Sequence, residues 1–390
     1  MTVGIWVLGD QLNAAQAALA SADPATSRVL LVESASVLAR RAYHRQKLVL
    51  VWSAMRHFAG ELRDAGWTVD HCSAASFGDA VRGWIREHGI TELRLMEPAD
   101  RGFRAAIEAL QLATPLVWLP SNAFLWSRDA FAAWAGRNKQ LRLEFFYREG
   151  RRRFGVLMEG EGAKATPLGG RWNFDQENRK APPKGLQGPE PLWFAPDAIT
   201  LAVIEQVEAL DRQRQAKDLP PLPGSLTPFR WGVTRIQALQ VLEHFIATRL
   251  AGFGPYQDAM VNGQPTLWHA LLSPYLNLGL LHPLEVIRRL EQAGLEQGVP
   301  LAGLEGVIRQ ILGWREYTHG LYHWFGPDYP ALNHFGASEP LPAWLENLGG
   351  SGMRCLDTVL GEIKASGYAH HIQRLMVTGL FALLLGVRPQ

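Results

Sequence analysis

The alternation of short apolar runs with amphipathic stretches over the first 120 residues constrains the fold of this chain most strongly. The runs are "GIWVL" (4–8), "RVLLVE" (28–33), "GWTVDH" (66–71), "ELRLME" (92–97) and "PLVWLP" (115–120). Between them, "LVLVWSAMRHFAGELRDAG" repeats its apolar residues at helical spacing. Strands that alternate with helices require a parallel sheet covered on both faces. The pattern therefore predicts a doubly wound α/β domain over residues 1–125.

The turn after the first strand offers a candidate ligand site in this domain. It reads "LGDQLN", which places Gly9 and Asp10 at the carboxyl end of the strand, where sheets of this kind bind ligands. A G-x-G-x-x-G motif does not follow, and the chain contains no P-loop, G-x-S-x-G or C-x-x-C sequence. Generic enzyme motifs therefore do not identify a type of reaction for this chain.

Residues 126–225 are rich in Gly and Pro and read as a long connector that contains a helix or two. Their segment "YREGRRRFG" holds the densest basic cluster of the chain, which includes Arg151, Arg152 and Arg153. One interpretation is a solvated helix face, and the alternative is an edge that contacts DNA phosphates.

Residues 226–390 show helical periodicity throughout, beginning with a helix whose N-cap is predicted at Thr234. Three stretches of this region combine polar groups with aromatic residues: "PTLWHALLSPYLNLGLLHP", "IRQILGWREYTHG" and "GYAHHIQRLM". Each has a structural explanation, such as a Ser-Pro helix start or a partly buried Arg–Glu pair. Three such stretches in one helical domain nevertheless favour a polar pocket.

The adjacent histidines of the third stretch raise a specific question about orientation. Neighbouring residues on a helix point about 100° apart. His370 and Arg374 are therefore expected to share one helix face, while His371 points elsewhere. A histidine in a helix is more often structural than catalytic, so this pair alone does not establish an active site.

Composition excludes several classes of protein. The chain has 390 residues and a formal charge of +2, unlike a strongly basic, tail-driven DNA binder. Its two cysteines exclude a disulfide framework and an all-cysteine metal site within one chain, and His319 and His323 lack an evident third metal ligand. The longest apolar run, "LFALLLGV", is too short to span a membrane, and no signal peptide is evident. We expect a cytoplasmic, metal-free monomer.

The order of an α/β domain, a connector and a helical domain resembles the cryptochrome/photolyase superfamily. More closely, the chain is similar to the bacterial iron–sulfur branch of deoxyribodipyrimidine photolyase-related proteins, and the similarity covers nearly its whole length. The segments that carry the resemblance are "WVLGDQL", "YHRQKLVLVWSAMRHFAGELRDAG", "FFYREGRRRFGVLM", "PLGGRWNFDQENRK", "FGPYQDAM", "LLSPYLNLGLLHP", "IRQILGWREY" and "YAHHIQRLMVTG". The resemblance implies an antenna-type α/β domain, a helical domain that holds FAD, and light-driven repair of UV-induced pyrimidine photoproducts in DNA or light signalling.

The resemblance also implies roles for individual residues. The catalytic candidates are His371, which matches the histidine that acts on the (6-4) photoproduct, and the adjacent His370. The positions expected to bind FAD are Tyr256, His269, Leu272, Ser273, Gln310, Arg315 and Arg374. An antenna chromophore is expected in the N-terminal domain.

The sequence departs from this family in ways that keep other functions open. Only Cys355 matches the four cysteines of the cluster, and one ligand cannot hold an iron–sulfur cluster, so we expect none. The family segment that follows "GVRP" is not present in this sequence, and Ala270 replaces a hydroxyl that contacts the FAD phosphates. The leading hypothesis is a (6-4) photolyase. The alternatives are a diverged, shortened homologue that binds or transforms a small molecule, with FAD weakened or lost, and a cryptochrome-like sensor.

Overall fold

The computed structural model describes residues 2–160 and 162–389. A five-stranded parallel sheet forms the N-terminal part, with strands at Thr2–Val7 (β1), Ser27–Ser34 (β2), Thr68–Ala74 (β3), Ile90–Met96 (β4) and Leu116–Leu119 (β5). Their order across the sheet is β3-β2-β1-β4-β5. In register, Ile5 pairs with Val29 of β2 and with Arg94 of β4. The five apolar runs all form strands, so the prediction of a doubly wound α/β domain is confirmed.

Helices lie between the strands and cover the sheet on both faces. They are α1 (Ala17–Ala20), α2 (Val37–Arg40), α3 (Arg45–Asp64), α4 (Phe77–His88) and α5 (Arg101–Glu108). Alternate residues of β1 enter different cores, since Trp6 packs with Trp84 of α4 on one face. On the other face Ile5 packs in the large core that includes Phe58 of α3 and continues into the helical part. This period-two burial places the two cores on opposite sides of the sheet.

The connector is folded and packs on the α/β part. It contains α6 (Arg128–Arg137), α7 (Leu143–Phe154), α8 (Ala198–Gln215), a two-residue ladder of Met158–Glu159 (β6) with Thr166–Pro167 (β7), and 3₁₀ turns at Gly162–Lys164, Leu168–Gly170 and Asp175–Asn178. Helix α8 lies against α3.

A buried ionic cluster fastens α8 to the sheet. The side chain of Glu33, at the end of β2, is fully buried and accepts hydrogen bonds from Arg56 (2.8 and 2.9 Å) and Ser73 (2.9 Å). His71 lies 2.8 Å from the same carboxylate, and Gln206 of α8 donates to it at 3.2 Å. Although burial opposes ionisation, these partners lower the pKa of Glu33 to about 2.

The C-terminal part is helical. Its helices are α9 (Arg235–Thr248), α10 (Leu250–Tyr256), α11 (Ser273–Leu278), α12 (Pro283–Glu296), α13 (Leu301–Ile308), α14 (Glu316–Phe325), α15 (Ala343–Glu346), α16 (Arg354–Ser366) and α17 (Leu380–Leu384). Two π-helical segments, Arg309–Arg315 and Gln373–Gly379, lead into α14 and α17, and Tyr329–Ala331 is a 3₁₀ turn. The predicted N-cap is confirmed, because Thr234 forms a capping box with Gln237. Across the described residues, none of the helices has the length and apolar character needed to cross a membrane.

Candidate functional site

The two adjacent histidines lie at the start of a helix and have opposite environments. Helix α16 ends at Gly367, which has a φ of 69°, and the next helical turn begins at His371. His370 therefore precedes the helix, and its backbone N–H donates to Gln373 Oε1 at 3.2 Å. The His370 side chain is 6% exposed, whereas His371 is exposed. The backbone N–H of Arg374 donates to the His370 carbonyl oxygen at 3.2 Å, as in a helical turn, but the Arg374 side chain is exposed and that of His370 is buried.

His370 forms a buried stack with His269. The ring centroids are 4.3 Å apart and the planes are inclined by 29°. His269 is 7% exposed. Both ring nitrogens of His269, together with Nδ1 of His370, lack a partner of hydrogen-bonding geometry among the described residues. Buried polar atoms without partners are uncommon in folded proteins, so this stack requires an explanation.

Burial keeps both stacked rings neutral. Burial, with a smaller contribution from the neighbouring His370, lowers the pKa of His269 to about 3. Burial likewise lowers the pKa of His370 to about 4, with smaller contributions from the neighbouring His371 and Arg374. At neutral pH each ring consequently carries one N–H that can donate a hydrogen bond.

The loop that holds His269 has a strained backbone and is held in place by a buried arginine. Leu267 and Leu271 have φ values of 35° and 55°, a region that costs free energy for residues with a side chain. The guanidinium of Arg249, which is 2% exposed, donates to the carbonyl oxygen of Thr266 at 3.1 Å and to that of Leu267. Sequence reasoning missed Arg249, since an arginine in the middle of an amphipathic pattern gives no signal of burial.

Other residues that were predicted to bind the cofactor lie on or next to the loop that holds His269. Tyr256, at the end of α10, packs its ring 5.0 Å from Trp268, next to His269. Leu272 is buried, and Ser273 is exposed as the first residue of α11. The structure thus brings Tyr256, His269, Leu272 and Ser273 together around one loop.

Three of the predicted residues, Gln310, Arg315 and Arg374, lie on the π-helical segments. Gln310 is exposed on Arg309–Arg315, and Arg374 is exposed on Gln373–Gly379, where its Nε donates to the carbonyl oxygen of Ala369 at 2.9 Å. Short π-helical turns are rare and occur frequently at functional sites. The apolar pattern of these segments predicted ordinary α-helix, so the π geometry was not foreseen.

Arg315 occupies a different place from the histidine stack. Its guanidinium donates to Glu316 at 3.0 Å and to the carbonyl oxygen of Ala123 at 3.3 Å, and it lies 4.0 Å from the ring centroid of Phe124. The buried Glu316 carboxylate accepts from the backbone N–H of Leu125 at 2.8 Å. Burial raises the pKa of Glu316 to about 7. These contacts hold the π segment against residues 123–125, just before the connector.

A cavity of about 210 Å³ lies at the carboxyl edge of the sheet. Strands β1 and β4 are neighbours there, and the chain leaves them in opposite directions across the sheet, which makes this point the usual ligand site of such folds. The walls include Asp10 and Glu97 from the sheet side and Asn277 and Arg315 from the helical side. The ligand position predicted at Gly9 and Asp10 therefore coincides with a cavity.

The basic cluster does not form a single surface. Arg151 is completely buried and donates to the carbonyl oxygens of Val156 (3.3 Å), Trp172 (3.1 Å) and Leu157. The prediction that Arg151 contacts DNA is corrected accordingly, because consecutive residues of α7 cannot all face solvent. Arg152 and Arg153 are exposed and lie over aromatic rings, at 4.5 Å from Trp172 and 4.7 Å from Trp126 respectively.

The cysteines and histidines form no metal centre in the part of the chain that the structure describes. Groups of three or more His, Cys, Asp or Glu side chains that could hold a metal ion are absent there. Cys72 is half-buried on β3, and Cys355 is exposed on α16.

Comparison with known families and proteins gives consistent matches. The sequence pattern of the family described as "Deoxyribodipyrimidine photo-lyase-related protein" matches residues 5–231. The chain is 41% identical over 394 residues to a (6-4) photolyase of Agrobacterium fabrum, and this match covers 99% of the chain and 75% of that relative.

Solved structures share the fold at low sequence identity. A bacterial class III photolyase from Agrobacterium tumefaciens superposes with a TM-score of 0.62 at 18% identity, covering 99% of this chain and 73% of that one. A cryptochrome from Synechocystis superposes with a TM-score of 0.66 at 12% identity, covering 100% of this chain and 76% of that one.

Proposed function

Because the chain belongs to the deoxyribodipyrimidine photo-lyase-related family of the cryptochrome/photolyase superfamily, we propose that it is a light-dependent, FAD-containing enzyme that repairs (6-4) pyrimidine photoproducts in DNA. The single observation that carries this proposal is the 41% identity to a (6-4) photolyase over 99% of the chain. The proposed lesion and reaction are those for which that relative is named.

The helical part carries side chains that fit FAD. The ring nitrogens of His269 and His370 offer hydrogen bonds to phosphate oxygens, Tyr256 packs on Trp268 next to His269, and Arg374 is exposed on the π segment that follows His370. Reduced FAD, when excited by light, would supply the electron that opens the photoproduct. The chain's own residues would bind the cofactor, hold the lesion and provide the proton.

His371 is our candidate for the proton donor. Its side chain is exposed, so it can reach a substrate that arrives from solvent. Imidazole can gain and lose a proton near neutral pH, and a positioned acid typically contributes about 10²–10⁴ in rate. A damaged base pair is weakened, which lowers the cost of turning the lesion out of the duplex toward this histidine.

Arg152 and Arg153 are our candidates for phosphate contacts. Both guanidinium groups are exposed and are held over Trp172 and Trp126. Stacking of this kind orients the guanidinium and leaves its edge free for a phosphate oxygen.

The cavity at the carboxyl edge of the sheet is our candidate for the antenna chromophore. It opens between the α/β part and the helical part, with Asp10 and Arg315 on opposite walls. Its volume of about 210 Å³ is small for a drug-sized ligand, so binding there requires the walls to move apart.

The first test is the absorption spectrum of the purified protein, followed by repair of an oligonucleotide that contains one (6-4) photoproduct. We expect flavin bands and light-dependent repair. The variant His371→Ala should retain the flavin spectrum and lose at least about 100-fold in repair rate, because it removes the proton donor but no proposed cofactor contact.

Unchanged repair by His371→Ala would remove His371 from the mechanism. A protein without flavin bands, and without repair after reconstitution with FAD, would favour the second candidate, a homologue that binds or transforms a small molecule. The observation that favours this candidate is Ala270, which cannot offer the hydroxyl expected near the FAD phosphates.

A further inference from the structure

We propose that Gln373 is a positioning residue, which fixes the helical turn that carries His371 and thereby directs this histidine toward the lesion. The inference rests on the proposed function, in which His371 is the proton donor. The Gln373 side chain is only 6% exposed, so it acts through the backbone of its neighbours and not by contact with DNA.

The first argument is the place of His371 at the very start of a helix. Its side chain is exposed, and an exposed side chain receives little orientation from packing. The backbone of the turn therefore decides where the imidazole points. The first N–H groups of a helix have no partner within the helix, and helix ends fray unless a side chain caps them. A proton donor at this position needs such a cap.

The second argument is that Gln373 supplies half of a capping box. With the helix starting at His371, His370 is the N-cap residue and Gln373 is the third helical residue. Gln373 Oε1 accepts a hydrogen bond from the His370 backbone N–H at 3.2 Å. This is the reverse bond of a capping box, in which the third residue binds the N-cap backbone. The turn that contains His371 lies between the two bonded residues.

The third argument is the second hydrogen bond of the same amide group. Gln373 Nε2 donates to Glu362 Oε2 of α16 at 2.6 Å. One orientation of the amide serves both the N–H donor and the carboxylate acceptor, so the two bonds fix each other. A glutamate at this position could bind the His370 N–H but could not donate to Glu362. Glutamine thus matches both partners.

Helix α16 gives this pair a fixed base. The side chain of Gln46, which is buried at the start of α3, donates to the Ala365 carbonyl oxygen near the end of α16 at 2.9 Å. Glu362 lies on the same last turns of α16. The α/β part, α16 and the turn of His371 are therefore connected through two buried glutamine side chains. Support of this kind is what holds a reacting group in a productive geometry.

The test is a double-mutant cycle between Gln373 and His371 in the full chain. Gln373→Met keeps the length of the side chain and removes both hydrogen bonds. The matched control is Gln237→Met, since Gln237 accepts from the N-cap backbone N–H of Thr234 at 3.3 Å in the same way at the start of α9. The combined change Glu362→Gln with Gln373→Glu exchanges donor and acceptor within the pair and keeps an acceptor for His370.

We expect Gln373→Met to lower the repair rate at saturating DNA and fixed light by about 10-fold or more, because small misplacements of a reacting group lower rates strongly. In a His371→Ala background the same change should have no further effect, since no donor is left to position. Gln237→Met should repair as the parent does, and the exchanged pair should recover part of the loss. The flavin spectrum and the affinity for lesion DNA should remain those of the parent.

Deuterium exchange of the backbone N–H groups of residues 369–374 reports on the turn without flavin or DNA. Mass spectrometry of this segment should show exchange that is about 5-fold or more faster in Gln373→Met than in the parent, as expected for a lost cap. Gln237→Met should leave the exchange of residues 369–374 unchanged. This measurement tests the structural part of the inference whether or not the protein repairs DNA.

The outcomes separate this inference from the proposed function. If the parent repairs the lesion and Gln373→Met repairs it equally well, Gln373 has no positioning role and the photolyase proposal stands. Equal losses from Gln373→Met in the parent and in the His371→Ala background overturn the inference, as does unchanged exchange of residues 369–374. If the parent does not repair the lesion but Gln373→Met accelerates this exchange, the photolyase proposal fails and Gln373 stands as the residue that holds the turn of His371.

Discussion

Two buried ionisable clusters, one at the sheet and one in the helical part, differ in how fully their polar atoms are paired. Glu33, beneath the sheet, receives partners from Arg56, His71, Ser73 and Gln206. The histidine stack of the helical part has three ring nitrogens without a partner. The hydrogen bonds of the Glu33 cluster hold elements of the fold together, whereas the stack requires a water molecule, an ion or a ligand to satisfy its ring nitrogens.

The largest expected effect is on the satisfied cluster. Glu33→Ala leaves the Arg56 guanidinium partly buried without its carboxylate, and breaking a buried pair in this way typically costs about 3–5 kcal/mol of the free energy of unfolding. Chemical denaturation measures the loss. The matched control is Glu208→Ala, which removes an exposed partner 3.8 Å from Arg212 and should change stability by less than about 0.5 kcal/mol. Equal losses in both variants would contradict the comparison.

Acidification should reduce the stability contributed by the histidine stack and by Glu33 in different pH ranges. The stack histidines have pKa values of about 3 and 4, below the usual 6.5, so the unfolded chain binds protons first as pH falls below 6.5. Each histidine then removes up to about 1.4 kcal/mol of stability per pH unit until its folded pKa is reached. Glu33, with a pKa of about 2, supplies stability that is present above 4.5 and lost between 4.5 and 2.

The double variant His269→Phe, His370→Phe isolates the contribution of the stack. Glu316, whose pKa is raised to about 7, acts in the opposite direction between 4.5 and 7, but it is common to parent and variant. As the pH falls below 6.5, the parent should therefore lose unfolding free energy relative to the variant, and only the two histidines cause this relative loss. At pH 7.5 the ligand-free variant should lie within about 1 kcal/mol of the parent, because it removes unpartnered nitrogens and keeps two rings. A large loss at that pH would show that the stack is a structural element.

A smaller effect is expected on DNA binding. Replacing Arg152 and Arg153 by Ala should weaken binding to duplex DNA and reduce the slope of log affinity against log salt by about 2, one for each lost phosphate contact. Arg151→Ala is the contrasting variant. It should lower stability, because three carbonyl groups lose their donor, while the salt slope stays as in the parent. An altered slope in Arg151→Ala alone would reverse our assignment.

Replacement of Cys355 is expected to have no measurable effect. Cys355 is exposed, and Cys72 on β3 is the second of the chain's two cysteines, so four thiolate ligands for an iron–sulfur cluster cannot come from one chain. Cys355→Ser should leave the visible spectrum and the unfolding free energy as in the parent. Stoichiometric iron and acid-labile sulfide in anaerobically purified monomer would contradict this expectation.

The sequence predicted the α/β part more completely than the site. The five strands and the cap at Thr234 follow from local periodicity and capping chemistry, which act over a few residues. The burial of Arg151 and the contact of His269 with His370 depend on which elements pack together across about 100 positions of chain. The π-helical segments were also missed, since α and π turns share nearly the same apolar spacing. Sequence periodicity identifies which face of a helix or strand is buried, but it does not identify the element that packs against that face.

The walls of the cavity at the sheet edge come from distant parts of the chain, and this affects the order of folding. The Asn13 side chain donates to the Gly279 carbonyl oxygen at 3.1 Å across 266 positions, and Arg315 lies still further along. During synthesis the sheet emerges first and can form from its own strands, but the cavity closes only after the π segment has left the ribosome. A molecule that binds in this cavity consequently recognises the finished fold alone and stabilises it by mass action.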